Sequence, residues 1–81
     1  GEAFTLTQMR ADGLHLYETW TVHEAGGRFS PRQQAQFKDY HCSIVDDVSL
    51  MKAGAILHHA YVAPSGRTLG TIRVSKDICG L

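Results

Sequence analysis

Residues 14–23 constrain this fold more than any other segment, because their side chains alternate between two chemical types. Successive side chains of a β-strand point to opposite faces, so this decapeptide sorts into two rows when extended. The first row contains Leu14, Leu16, Glu18, Trp20 and Val22, and the second contains His15, Tyr17, Thr19, Thr21 and His23. The pattern predicts a long strand between a core and an outer surface, with one carboxylate among apolar neighbours.

Length and charge limit the classes of protein to consider. The 81 residues predict a single small domain spanning residues 1–81. Lys and Arg total 8 and Asp and Glu total 8, so the formal net charge is zero and a dedicated nucleic-acid module is not expected. The longest apolar stretch, residues 54–63, is interrupted by His58 and His59 and is too short to span a membrane. Because the net charge is near zero, copies of the chain repel one another little, and self-association is compatible with this composition.

Turn signals predict two hairpins. Asp12-Gly13 separates residues 3–10 from the long strand, and glycine accepts the positive φ of a tight turn. Ala25-Gly26-Gly27 is expected to end that strand. Pro64-Ser65-Gly66 lies between residues 56–63 and 67–75 and predicts the second hairpin.

A helix is predicted from Pro31, because Ser30, Pro31 and Gln33 form a capping box with proline at the first helical position. We expect a break near Asp46, with Asp47 or Ser49 capping a second short helix. Two alternatives are a single helix that runs to a Gly54 C-cap, and a helix that extends to His59 and leaves three strands.

These elements predict an α+β fold. An antiparallel sheet of two hairpins would be packed by one or two helices in the order β-β-α-(α)-β-β. This architecture leaves strand faces and sheet edges available for contacts.

Cysteine usage predicts the compartment. Cys42 and Cys79 are too few for a disulfide scaffold, so we expect two reduced thiols in a cytoplasmic protein. The alternative is an extracellular protein with one bridge that closes nearly half the chain. A signal-peptide pattern is not visible, and the start at Gly1-Glu2-Ala3 without Met suggests processing or a tag remnant.

Glu18 is the candidate for acid–base chemistry. A carboxylate among apolar neighbours is desolvated, which raises its pKa and suits it to proton transfer. The sequence offers it no nucleophile, and a position at the sheet margin or an ion pair with Arg10 accounts for the same residue. A small hydrolase or nuclease that uses Glu18 or a histidine as its base therefore stays an alternative.

The histidines do not follow zinc-ligand spacing, so we predict no metal and no cofactor. His58 and His59 are adjacent, and adjacent strand residues point to opposite faces. A site assembled from Cys42, Cys79 and one or two histidines remains the metal-binding alternative.

The chain is therefore predicted to be a non-catalytic protein-binding or regulatory module. Its partner is another protein or a second copy, with a homodimer as the expected assembly. Contacts are expected through the outward row and Trp20 or through a sheet edge. The predicted binding residues are His15, Tyr17, Thr19, Trp20, Thr21, Arg67 and Arg73, of which the two arginines suit an anionic group.

Overall fold

The computed structural model describes residues 3–23 and 26–81. These ranges form four strands and three helices: β1 (Phe4–Asp12), β2 (His15–Val22), α1 (Pro31–His41), α2 (Val45–Lys52), β3 (Ile56–Val62), β4 (Thr68–Val74) and α3 (Lys76–Cys79). The predicted α+β class, the element order and the extended state of the decapeptide are confirmed. Among the described helices, none is long and apolar enough to cross a membrane.

The sheet is mixed, so the prediction of a purely antiparallel sheet is wrong. Its strand order is β1-β2-β3-β4, with antiparallel pairs at both edges and a parallel pair between β2 and β3. A parallel pair needs a long crossover, and α1 and α2 supply it by returning the chain to the starting end of β2. The two predicted hairpins are therefore joined by the parallel pairing of β2 with β3 at the centre of the sheet.

Both hairpins form at their predicted turns. Gly13 adopts a φ of 59° between the paired residues Asp12 and His15, which a residue with a Cβ adopts at a cost. In the second hairpin the Ala63 amide donates to the Arg67 carbonyl at 2.8 Å. The predicted strand end at Ala25 and the comment on Gly1 and Glu2 fall outside the described residues.

The capping box of α1 is confirmed. Ser30 Oγ accepts from the Gln33 amide at 3.1 Å, and Gln33 Oε1 accepts from the Ser30 amide at 2.8 Å. The helix breaks earlier than predicted, since α1 ends at His41 and α2 starts at Val45.

The N-cap of α2 is Ile44, which makes no side-chain capping bond, so the predicted caps Asp47 and Ser49 are wrong. Asp47 instead lies in the first helical turn, where the positive end of the helix favours a carboxylate. The alternative of one helix to His59 is also wrong, because that residue lies in β3.

Cys42 and Cys79 form a disulfide, so the prediction of two reduced thiols is wrong and the bridge that the alternative required is present. The bridge joins the end of α1 to α3, a short helix that the sequence interpretation missed. Its N-cap is Ser75, whose hydroxyl accepts from the Ile78 amide at 3.3 Å. The fully buried Met51 of α2 packs against this bridge, with its Sδ 3.6 Å from Cys79 Sγ.

The hydrophobic core lies between the helices and one half of the sheet. The helices pack chiefly on β3 and β4, whereas every residue of β1 after Phe4 is exposed. The buried apolar residues are Val22, Met51, Leu57, Tyr61, Ala63, Leu69, Ile72 and Val74. We call the sheet face toward the helices the inner face and the opposite one the outer face.

Candidate functional site

A polar group is buried on the inner face, where the core would otherwise be apolar. It consists of Glu18, His41, Asp47, His59 and Tyr61, which we call the inner polar cluster. Glu18 of β2 and His59 of β3 are register partners, so their side chains share the inner face. His41 is the last residue of α1 and Asp47 lies in the first turn of α2. The break between these helices therefore places both side chains beside Glu18 and His59.

His41 is the best-bonded member of the cluster. Its Nδ1 lies 3.0 Å from Asp47 Oδ2, and its Nε2 bonds the Tyr61 hydroxyl. Its ring stacks on that of His59 with centroids 3.6 Å apart and planes 7° from parallel. His41 therefore links both helices to the sheet.

His59 is buried without comparable bonding, with only 1% of its surface exposed. Glu18 Oε1 lies 2.8 Å from Nδ1 but is poorly aligned, so neither ring nitrogen has a hydrogen-bond partner among the described residues. Asp47 Oδ2 lies 3.9 Å from Nε2, beyond hydrogen-bond reach. Such a ring is costly to bury, because its polar atoms lose water without a replacement.

Burial sets the protonation of this cluster. Desolvation, assisted by the nearby His41 and His58, lowers the pKa of His59 to about 3. Desolvation raises the pKa of Glu18, and the charge of Asp47 adds to the shift. Desolvation also raises the pKa of Tyr61, so its hydroxyl keeps its proton. The cluster thus holds a neutral imidazole beside two carboxyl groups.

The prediction that Glu18 has a raised pKa is confirmed, but its alternative pairing with Arg10 is wrong. Arg10 lies on the outer face, with its guanidinium carbon 4.3 Å from the centre of the Tyr17 ring. Trp20 is nearer to Glu18: its indole N–H opposes the pKa shift but is not aligned for a hydrogen bond.

Three residues of the cluster have the composition of a metal site. One ligand atom each from His41, Asp47 and His59 lies within 4.8 Å of the others. The alternative site built on cysteine thiolates is wrong, because both sulfurs are in the disulfide. The two imidazoles with a carboxylate can bind a cation or exchange protons.

The outer face carries a second group of rings, which we call the outer aromatic patch: His15, Tyr17 and His58. His15 Nδ1 lies 2.9 Å from His58 Nε2, and Tyr17 stacks on His58 with centroids 4.3 Å apart. Desolvation lowers the pKa of His58, with contributions from His15 and Arg73. The predicted placement of His58 and His59 on opposite faces is confirmed.

The predicted binding residues do not form one surface. His15, Tyr17, Thr19 and Thr21 follow the outer face of β2, whereas Trp20 packs against the core on the inner face. Arg67 lies in the second hairpin turn, where its Nη2 donates to the Gly26 carbonyl at 3.1 Å. Arg73 lies near the far end of β4, about 20 Å from Arg67 at strand spacing.

A third surface is apolar and lies over the uncovered part of the inner face. Leu6 pairs with Trp20 and Met9 pairs with Glu18, so all four side chains face inward. A bulge between Leu6 and Gln8 permits this, since strict alternation would place positions 6 and 9 on opposite faces. Leu6 is 38% exposed and Met9 is 59% exposed. We call Leu6, Met9 and the half-buried Trp20 the apolar shelf.

Sequence reasoning found Glu18 but missed the rest of its cluster. The alternation Leu57, His59, Tyr61 in β3 was a usable signal, because it places both polar rings beside a core leucine. The sequence carried no comparable signal for His41 and Asp47, which meet only through the turn between α1 and α2.

Comparison with known proteins gives a fold but no family. The sequence matches no protein family and no curated protein. Among solved structures, a candidate secreted protein of Pseudomonas aeruginosa is 21% identical with a TM-score of 0.77, over 98% of this chain and 74% of that one. The type 2 secretion system pilotin of Vibrio vulnificus has the same TM-score and coverage at 9% identity. The type II secretion system pilotin of Vibrio cholerae is 16% identical with a TM-score of 0.75, over 95% and 72%.

The prediction of a cytoplasmic location is wrong. The similar structures are a candidate secreted protein and two secretion-system pilotins, rather than cytoplasmic proteins. The disulfide agrees with this correction, because such bonds persist in oxidising compartments and are rare in the cytosol.

Proposed function

We propose that this protein is a non-catalytic protein-binding module that works outside the cytoplasm, and that its partner docks on the apolar shelf along β1. The observation that carries this proposal is the exposure of β1 at the edge of the sheet. This strand has nine residues, and its inward apolar side chains Leu6 and Met9 are exposed to solvent.

The chemistry of the shelf favours a protein partner. Leu6 and Met9 place apolar surface in water next to Trp20, and contiguous apolar patches of this kind mark interaction sites. Methionine adapts its shape to a partner, and tryptophan is enriched among residues that dominate binding energy. The carboxylate of Glu18, the register partner of Met9, borders this surface and suits a partner that carries polar donors.

The edge of β1 adds a second attachment mode. The edge of β1 that faces away from β2 offers unpaired backbone donors and acceptors, to which an extended segment can add as a further strand. Its sequence contains no lysine or proline, the residues that commonly block such pairing. The opposite edge differs, because the Phe29 amide already donates to the Leu69 carbonyl of β4 at 2.7 Å.

The shared fold and the disulfide support the proposed location outside the cytoplasm. Two of the similar structures are pilotins of type II secretion systems, so a partner belonging to a secretion apparatus is the first to test. A second copy of the chain is the other occupant, since the predicted homodimer could form through the same edge.

The test uses a photo-crosslinking residue placed at Met9 in the full chain. We expect it to capture one protein from the envelope of the native host, and Met9→Asp to lose that protein in an ordinary pull-down. The matched control carries the crosslinker at Asp77, which is exposed on α3 and belongs neither to the shelf nor to the depression on the outer face. Equal capture from both positions, or undiminished binding by Met9→Asp, would refute the shelf as the docking site. Light scattering of the pure protein distinguishes a homodimer from a different partner.

The outer face of β2 is the second candidate surface. Residues including Arg10, Tyr17 and His58 line a shallow depression of about 630 Å³ on this face. The double variant Tyr17→Ala, Thr19→Arg tests it, because neither change touches the shelf. If that variant loses the partner while Met9→Asp keeps it, the partner binds the outer face instead.

A further inference from the structure

We propose that the inner polar cluster is a binding site for a divalent transition-metal ion, with His41, Asp47 and His59 as its protein ligands. Zinc is the first candidate ion. The proposal concerns this chain alone and does not depend on its partner.

The unbonded ring of His59 is the first argument. Its two nitrogens are buried and lack hydrogen-bond partners among the described residues, although the ring is 99% buried. A metal ion would give Nε2 the partner that it lacks. Asp47 Oδ2 faces this nitrogen across 3.9 Å, and zinc bonds to nitrogen and oxygen are about 2.0–2.2 Å. An ion therefore fits between the two atoms once they move a few tenths of an ångström closer.

Charge is the second argument. The carboxyl groups of Glu18 and Asp47 are largely shielded from water. Their ion-pair partners among the described residues are histidines rather than lysine or arginine. Removing such charges from water is unfavourable unless an opposite charge compensates for them. One divalent cation would offset both carboxylates.

The outer shell of the cluster is the third argument. Metal-bound histidines usually donate their other ring N–H to an oxygen that fixes the ring. Here Glu18 Oε1 lies 2.8 Å from His59 Nδ1, and the Tyr61 hydroxyl bonds His41 Nε2. Each histidine thus has an oxygen beside its distal nitrogen, which leaves His59 Nε2 and His41 Nδ1 for the ion.

Binding requires a local rearrangement. The rings of His41 and His59 are nearly parallel, so their lone pairs do not converge on one point. One imidazole must turn, and the 3.0 Å contact between His41 and Asp47 must open, before both nitrogens and Asp47 Oδ2 face one ion. Glu18 and Asp47 have side-chain exposures of 13% and 16%, so the ion would enter from their side.

The donor set selects the class of ion. Two imidazole nitrogens and one carboxylate oxygen suit zinc and the neighbouring transition metals, whereas calcium and magnesium prefer oxygen ligands. Three protein ligands leave one position of a tetrahedral ion for water or for a donor from a docked partner.

The experiment measures zinc and cobalt binding to the tag-free, disulfide-intact protein after treatment with chelator. We expect one equivalent of zinc by dialysis and elemental analysis, a rise in Tm, and visible absorption bands when cobalt replaces zinc. Asp47→Asn and His59→Gln should abolish binding. Glu18→Gln should weaken it about 10–100-fold, as expected for an outer-shell partner of a ligand.

Two neighbouring residues supply matched controls. Asp46→Asn changes the exposed carboxylate beside Asp47, and His58→Gln changes the outer-face histidine beside His59, so both should retain full binding. The proposal is overturned if the unmutated protein binds no zinc. It is also overturned if His58→Gln removes the bound ion while His59→Gln keeps it, which would place the ion at the His15–His58 pair. Circular dichroism establishes whether each variant is folded. If His59→Gln is not folded, zinc binding by Asp47→Asn decides the test.

Discussion

The two halves of the sheet are built from similar strands but have different surroundings. β3 and β4 are covered by the helices and contribute five of the eight buried apolar side chains, namely Leu57, Tyr61, Leu69, Ile72 and Val74. β1 is exposed along its length after Phe4, and β2 is intermediate until Val22. The difference indicates that one half provides most of the stability while the other is left available for contacts.

This asymmetry follows from the crossover between β2 and β3. Two short helices and a four-residue α3 cannot cover four strands, and the disulfide holds α1 and α3 together near β4 and Met51. A small domain buries a limited share of its surface, so its core concentrates where the helices are. The uncovered strands then carry the apolar shelf and the outer aromatic patch.

Removing the disulfide should have one of the two largest effects, because the bridge closes a loop that contains α2, β3 and β4 of the covered half. Cys42 and Cys79 are separated by 37 positions, and closing a loop of that length is worth about 4 kcal/mol of unfolding free energy. We expect the double variant Cys42→Ser, Cys79→Ser to lose about that amount in urea titrations.

The matched control leaves the cysteines in place and compares the oxidised and reduced forms of the unmutated protein. Reduction should reproduce the loss seen in the double variant. A loss below about 1 kcal/mol in both measurements would show that the bridge does not stabilise the covered half.

Two leucines test the comparison directly. Leu57 of β3 is 1% exposed, and Leu57→Ala should cost about 2–5 kcal/mol because it empties a packed core position. Leu6 of β1 is 38% exposed, and Leu6→Ala should cost under about 1 kcal/mol. Thermal or denaturant unfolding measures both. Equal losses would mean that the shelf belongs to the core and is not a free docking surface.

Local features and long-range features differ in how far the sequence could predict them. Alternation in residues 14–23, the Asp12-Gly13 turn and the Ser30 capping box are local signals, and the corresponding strands, turn and helix start are confirmed. The direction of β3 relative to β2 depends on the whole crossover, which no local pattern encodes.

The candidate sites follow the same division. The alternation that places Tyr17 outward and Glu18 inward is local, and the structure agrees with it. The meeting of His41 and Asp47 depends on a helix break without a side-chain cap, and the meeting of Leu6 and Met9 depends on a bulge. Neither irregularity leaves a strong signature in the residue types.

Adjacent histidines of β3 test how burial controls protonation in the two environments. The pKa of His59 falls to about 3 in the folded chain, against about 6.5 unfolded, so the unfolded chain binds the extra proton between these values. Stability should therefore fall as pH decreases through 6.5, by roughly 2 kcal/mol between pH 7 and pH 5. Glu18 acts in the opposite sense, since its raised pKa favours the folded state below the titration of the folded carboxyl.

Denaturant titrations of the metal-free protein from pH 7 to pH 5 measure this dependence. His59→Gln should flatten it, whereas His58→Gln should leave most of it, because His58 is only half-buried on the outer face. If both variants keep the slope of the unmutated protein, the acid sensitivity originates elsewhere.

The smallest expected effect concerns the open half and its outer face. Arg10 lies over the Tyr17 ring at 4.3 Å, and an exposed cation–π contact is worth about 0.5–1 kcal/mol. Arg10→Gln should lower the unfolding free energy by no more than that, and Arg32→Gln on the exposed side of α1 supplies the charge-matched control. A loss above about 2 kcal/mol for Arg10→Gln alone would contradict the division, because it would give an exposed edge strand the energetic weight of the covered half. A loss within the expected range, together with unchanged capture through Met9, would mean that the contact between Arg10 and Tyr17 stabilises the open half slightly and is not needed for docking.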